Sequence, residues 1–144
     1  MENAEIYKDA YDLLCGPLLG EGIHRRVFAC RIDPKLVVKV ELNHEWRYFS
    51  NVHEMTFWDD HEHRKAVSKW LAPCKYLSPD GRILLQHRVE PLTRSLLPDR
   101  LPAFLTDLKP ENFGWLNGRV VCVDYVFTIP NPSLRLRKTD WKES

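Results

Sequence analysis

The chain has 144 residues, of which 44 % are hydrophobic and 28 % charged, so it has the make-up of one globular domain and not of a disordered segment. Its formal net charge of +1 provides no global field for nucleic acid or an anionic membrane surface, which removes long polyanions from the expected partners. No apolar run approaches the ~20 residues that cross a bilayer, and the acidic start Met1-Glu2-Asn3-Ala4-Glu5 is unlike a signal peptide, so a cytosolic chain is expected.

Ile6, Ala10, Leu13 and Leu14 recur at helical spacing ahead of Gly16-Pro17, which predicts a short amphipathic helix with a Gly-Pro stop. Leu18 to Ile32 and Lys35 to Leu42, rich in Val, Ile, Leu and Phe and parted by Asp33-Pro34, predict successive antiparallel strands with a glycine bend inside the first. From about His44 to Leu71 there is neither Pro nor Gly. Trp46, Phe49, Val52, Phe57 and Trp58 predict a helical apolar face there, with a second helical piece around Ala66 to Leu71. Cys74 to Leu77 and Arg82 to Val89 flank the turn Ser78-Pro79-Asp80-Gly81 and predict a fourth and a fifth strand. Pro91, Pro98 and Pro102 break the stretch from Glu90 to Asp107 into a connection without a long helix. Arg119 to Val123 is strand-like and entered through Asn117-Gly118, a hairpin signal. Beyond Pro130 and Pro132, the residues Arg135, Arg137 and Lys138 suggest a solvated basic tail. Cys15, Cys30, Cys74 and Cys122 form no C-x-x-C pair, so buried free thiols are expected and not a zinc or redox site. His61-Glu62-His63 lacks the i, i+4 spacing of a zinc helix and suggests polar surface. The five tryptophans do not alternate with basic residues as a base-stacking platform does, and packing accounts for them.

The most informative segment is Asp107-Leu108-Lys109-Pro110-Glu111-Asn112 with Asp124 at the end of the strand that follows. An acid, an amine, an amide and a second acid are the groups phosphoryl transfer needs for proton handling, charge neutralisation and metal ligation. Here the chain resembles the protein-kinase-like superfamily, whose D-x-K-P-x-N motif and following D-F-G aspartate fill these roles. Leu19-Gly20-Glu21-Gly22-Ile23-His24-Arg25-Arg26-Val27 is similar to the family's glycine-rich loop, with Arg25 in place of the third glycine. Val37-Val38-Lys39-Val40 matches the strand lysine, and Glu54 the helix glutamate that holds it, with Glu45 the fallback. Val27 and Val37 match the apolar residues that sandwich the purine, Gln86 the back of the pocket and Val89 the hinge, although each also fits an ordinary core.

The resemblance implies ATP and Mg2+ as cofactors. Gly20, Gly22, Val27, Val37, Lys39, Glu54 and Val89 would line the nucleotide, Asp107 and Lys109 would act on the reacting groups, and Asn112 and Asp124 would hold the metal. It also implies a fold: α+β, an antiparallel sheet of about five strands with one main helix, a small catalytic hairpin, and most of the large helical lobe absent. The expected layout is one truncated domain over residues 1–144, with a nucleotide-binding portion over 18–90, a minimal catalytic and metal segment over 91–127 and a tail over 128–144. Departures from the family pattern matter. Leu105-Thr106 replaces His-Arg, removing the arginine that reads an activation-loop phosphate, and Tyr125-Val126 replaces Phe-Gly. Only twenty residues follow Asp124, too few for a substrate platform in a chain about half the roughly 250 residues of a two-lobed kinase. Two functions follow as expectations: an ATP- and magnesium-dependent phosphotransferase of unknown acceptor, or an inactive kinase-like module that binds or inhibits a partner protein. A purely structural pocket is the third possibility. Compact chains of this kind resemble some small bacteriophage-encoded proteins, and a homodimer would cover apolar surface left where a larger lobe docks.

Overall fold

The computed structural model describes residues 3–42, 48–127 and 129–142. They fall into two compact units, one comprising residues 1–55 and 74–88 and the other 56–73 and 89–144. Glu45 and Trp46, named above as a fallback carboxylate and a face residue, lie outside the described residues, as does the expected start of the helix at His44.

In the first unit, helix α1 (Asn3–Leu14) ends two residues before Gly16-Pro17, and strand β1 (Cys15–Glu21) begins at once. Strands β2 (Arg25–Cys30), β3 (Leu36–Glu41), β4 (Cys74–Leu77) and β5 (Ile83–His87) complete an antiparallel sheet in the order β1-β2-β3-β5-β4. The five-stranded antiparallel sheet expected of an α+β chain is therefore present. The glycine bend in the first strand run is the turn between β1 and β2, where the Gly22 amide donates to the Arg25 carbonyl at 2.9 Å. Asp33 closes the next turn by accepting from the Lys35 amide at 2.9 Å. The Ser78–Arg82 turn is held by Asp80 and by Gly81 at φ 76°.

Strand alternation gives this sheet two unlike faces. One is apolar: Cys15, Phe28, Cys30, Leu36 and Val38 are buried together, with Leu14, Val40, Ile83 and Leu85 against them. Tyr11 of α1 meets Phe28 edge-on at 5.4 Å. Residues paired across antiparallel strands share a face, so the register Arg25↔Glu41, Val27↔Lys39, Ala29↔Val37, Val37↔Gln86 and Lys39↔Leu84 defines the other. That face mixes apolar residues with buried charge.

Helix α2 (Ser50–His61) follows Phe49, which takes a left-handed φ of 54°. The helical region expected as far as Leu71 is interrupted after His61, and its second piece is a single turn, α3 (Lys65–Ser68). The face expected of α2 is displaced only in its first half. Phe49 is exposed and Val52 only partly covered, whereas Asn51 and Glu54 are buried; in the second half Phe57 and Trp58 are buried as expected, with His61 beside them. The stripe has helical period, but its first half is polar, so hydrophobicity alone misplaces it.

The second unit is built from short pieces. Strands β6 (Glu90–Pro91), β8 (Phe113–Leu116) and β9 (Arg119–Cys122) form one antiparallel sheet, and β7 (Arg100–Pro102) pairs with β10 (Leu136–Lys138) in another. Asn117 (φ 50°) and Gly118 (φ 78°) make the two-residue turn of the β8–β9 hairpin. Two single-turn 3-10 helices, Arg94–Leu96 and Pro110–Asn112, are the only helical structure described beyond Ser68. Phe57 packs with Phe104, Tyr125 and Phe127 at centroid distances of 6.2, 6.1 and 5.4 Å. The basic tail does not float: β10 returns along β7, and Trp141 packs edge-on to Phe113 at 5.1 Å. His61, expected on polar surface, is buried against Phe57 at 4.5 Å. All four cysteines are buried and free. Among the described residues, no helix is long and apolar enough to cross a membrane.

Candidate functional site

Strand β3 presents Lys39 on the mixed face, and α2 brings Glu54 to it. Lys39 Nζ lies 2.5 Å from Glu54 Oε1, with the two residues 3 % and 0 % exposed. A lysine this deep has lost its water and needs a carboxylate in return. Arg25 of β2 joins the pair. Arg25 Nη1 donates to Glu54 Oε1 at 3.0 Å, Nη2 to Oε2 at 3.3 Å, and Nη1 also to Asn51 Oδ1 at 3.1 Å. Arg25 thus turns inward to the helix glutamate, because the β2 register places it on the face that carries Lys39 and Glu41.

Asn51, which the sequence reading passed over, ties the cluster to the backbone. Its Nδ2 donates to the carbonyls of Lys39 (3.0 Å) and Arg82 (2.9 Å), and its own amide donates to Glu41 Oε1 at 2.9 Å. The Glu41 carboxylate therefore sits on an unsatisfied amide of the first turn of α2, where an anion is favoured. Arg25, Lys39, Glu41 and Glu54 are all buried, two cations against two anions. Burial alone would raise the Glu54 carboxyl, but Arg25 and Lys39 together overcome it and hold it below its ordinary value.

The remaining first-unit residues share the neighbourhood by register. Val27 is opposite Lys39, and Val37 opposite Gln86. Gln86 is 1 % exposed; its Nε2 reaches only the Cys74 sulfur at 3.9 Å, and its buried Oε1 has no partner among the described residues. A Cβ added at Gly20 meets nothing within 4 Å, and one at Gly22 meets only the Arg25 carbonyl oxygen at 3.8 Å. The fold by itself requires glycine at neither position.

In the second unit, Pro110 at the start of its 3-10 turn folds the chain so that Asn112 comes back on Asp107. Asn112 Nδ2 donates to the Asp107 carbonyl (3.1 Å) and to its Oδ2 (3.0 Å). With its nitrogen so used, the Asn112 amide leaves its oxygen Oδ1 as a hard donor. The Val123 amide donates to the Asn112 carbonyl at 2.8 Å, and Phe113 pairs with Cys122, so Asp124 is anchored one residue from Asn112's backbone partner. The Asp124 carbonyl accepts from Cys122 Sγ at 3.3 Å. Tyr125 is wholly buried, and its hydroxyl donates to the Ala72 carbonyl at 2.5 Å, which fixes the backbone just after Asp124. Lys109 is exposed. Val89, expected near a hinge amide, opens the second unit and lies against Gly114.

A further residue arrives from the C-terminal segment. Lys142 Nζ lies 2.8 Å from Asp107 Oδ1, and the Lys142 amide donates to the Leu108 carbonyl at 2.9 Å. This placement is fixed upstream: Trp141 Nε1 (3.0 Å) and Thr139 Oγ1 (2.7 Å) both donate to the Pro98 carbonyl, and Arg94 Nη2 donates to the Lys142 carbonyl at 3.4 Å. The hydrogen bond from Lys142, helped by Asn112, holds the Asp107 carboxyl below the usual aspartate range against the opposing effect of partial burial. Lys142 could not be found from the sequence, since it lies 35 residues from Asp107 with no motif to join them.

Among the described residues, no group of three or more His, Cys, Asp or Glu side chains is gathered as a metal cage. The oxygen donors of Asn112 and Asp124 are of the kind Mg2+ takes, one or two protein ligands completed by water and phosphate. No protein-family model matches the chain, and no curated protein matches it.

Proposed function

We propose that the chain is an ATP- and Mg2+-dependent phosphotransferase of the protein-kinase-like type, with a hydroxyl-bearing acceptor. The observation that carries this is the buried contact between Lys39 and Glu54, two residues fifteen positions apart on a strand and a helix. In the proposed role the Lys39 ammonium neutralises nucleotide phosphates while Glu54 keeps it extended. Two further observations support a nucleotide on the mixed face of the sheet. The orphaned Gln86 Oε1 is a buried acceptor awaiting a donor such as an exocyclic amine. Gly20 and Gly22 are glycines that packing does not require, which is expected where a ligand lies close against the backbone. Magnesium, when bound, would neutralise phosphate charge, with Asn112 Oδ1 and the Asp124 carboxylate as its protein ligands. The Asp107 carboxylate, ionised at neutral pH, would accept the acceptor hydroxyl's proton, and exposed Lys109 would meet the charge of the transferring group.

A second function, a kinase-like module that binds a partner protein without catalysis, is favoured by one contact: Lys142 already occupies Asp107 Oδ1. Turnover separates the two. Purified protein is incubated with [γ-32P]ATP, Mg2+ and a panel of protein and small-molecule acceptors, beside Asp107→Asn. Transfer or ATP consumption in the parent that drops at least about 100-fold in the variant supports the enzyme. Absence of turnover in both, with ATP binding intact, leaves the binding module.

A further inference from the structure

We infer that the groove on the β7–β10 sheet is a binding site for a small anion carrying two or more phosphate groups. The inference stands apart from the phosphotransferase proposal and uses none of its residues. Arg100, Ser133, Arg135, Arg137 and Lys138 line a groove of about 510 Å³, and no acidic residue lines it. Arg100 and Lys138 are direct cross-strand partners in the antiparallel register. Like charges so placed destabilise a strand pair unless something lies between them. Among the described residues, none of these four cationic side chains is paired with a carboxylate.

A charge or two is enough to guard a sheet edge from aggregation. Four cations line this groove, with Arg100 and Lys138 paired on one face of the two-stranded ribbon and Arg137 opposite Leu101 on the other, and together they exceed that need in a chain whose formal net charge is only +1. Each phosphate group brings roughly −1.5 to −2 charges at neutral pH, so two of them match four cations. Three of the four are arginines, whose planar forks grip phosphate oxygens in pairs, and the Ser133 hydroxyl adds a neutral donor. The volume lies within the usual range for small-molecule sites, about 300–1,000 Å³. A free polyphosphate and the phosphate tail of a nucleotide offer the same chemistry.

The test is an amide-detected NMR titration of the full chain with inorganic tripolyphosphate, with orthophosphate, ATP and a single-stranded oligonucleotide as parallel arms. The expected result is saturable tripolyphosphate binding, with shifts centred on residues 100–103 and 133–138. Arg137→Ser and Arg100→Ser should each weaken it about tenfold or more, the loss of one charge-assisted contact. Arg137→Lys, which keeps the charge but loses the fork, should fall between. Both positions are exposed, and an unchanged amide spectrum away from the groove verifies the fold. Equal affinity for ATP and tripolyphosphate identifies the phosphates as what is read; tighter ATP binding with the same shifts identifies a nucleotide. Shifts elsewhere, affinity indifferent to both arginine substitutions, orthophosphate binding as tight as tripolyphosphate, or an oligonucleotide that binds the groove more tightly would each overturn the assignment.

Discussion

Two cations share the Glu54 carboxylate, so its loss and the loss of either cation are unequal events. Glu54→Gln leaves Arg25 and Lys39 buried without their common anion, and breaking a buried ion pair from one side typically removes about 3–5 kcal/mol of stability; urea unfolding of the variant checks this. Arg25→Met leaves Glu54 paired with Lys39 and should be milder. The folded carboxyl of Glu54 titrates below its ordinary value of 4.5, so its contribution is complete above that value and disappears as pH falls through the lower folded one. The stability gap between the parent and Glu54→Gln should therefore be flat at neutral pH and close only under acid conditions. At Asp107 the Lys142 hydrogen bond is the leading cause of the lowered carboxyl, so Lys142→Ala should move the Asp107 titration upward in a carbon-detected NMR pH series. Stability should change little, because an exposed ion pair contributes at most about 1 kcal/mol. At this scale the contact of Lys39 with Glu54, and that of Asp107 with Asn112, were legible through the resemblance their segments carry. Arg25 read only as a missing glycine, since nothing local says which face of β2 it occupies. Lys142 was hidden because its partner is reached through a fold and not through sequence proximity.

Elements formed by short-range chemistry were the easiest to read. Asn117-Gly118 takes the positive φ angles that its hairpin demands, and Asp33-Pro34 and Ser78 to Gly81 are turns held by their own side chains. Gly118→Val should destabilise by about 1–3 kcal/mol, because a β-branched residue at φ 78° is strained; thermal unfolding would register it. Gly114 is glycine for a different reason. A Cβ there would run into the Val89 side chain and come within 2.9 Å of the Glu90 carbonyl oxygen in the paired strand. Gly114→Ala should lower stability by about 1–3 kcal/mol by overpacking, and the companion Gly114→Ala/Val89→Ala should recover part of the loss if crowding is the cause. The first half of α2 shows where pattern reading fails, while Phe57 and Trp58 in its second half are buried as their pattern predicts. Its buried stripe begins with Asn51 and Glu54, so a search for apolar period selects Val52 and Phe49 instead. A polar stripe is buried only when partners wait for it, and those partners come from β2 and β3.

Taken whole, the chain divides its chemistry between two compact units, with the lysine–glutamate contact and the orphaned glutamine in the first and the Asp107, Asn112 and Asp124 loop in the second. The α+β class and the five-stranded antiparallel sheet were legible because β2, β3 and β5 carry Val, Ile, Leu or Phe runs and turn signals bound the strands. The second unit was less so, since its strands are two to four residues long and carry too little periodicity to register. The basic segment read as a solvated tail became a strand and a strap, because pairing with β7 and the two bonds to the Pro98 carbonyl outweigh its local polarity. The central claim is that these residues serve a magnesium nucleotide. Calorimetric titration with ATP, with and without Mg2+, tests it most directly when run on Arg137→Ser, which weakens the basic groove, and on Arg137→Ser/Asp124→Asn. The account predicts micromolar binding that depends on Mg2+ and is lost with Asp124→Asn; no measurable heat from a folded protein at millimolar ATP would contradict it.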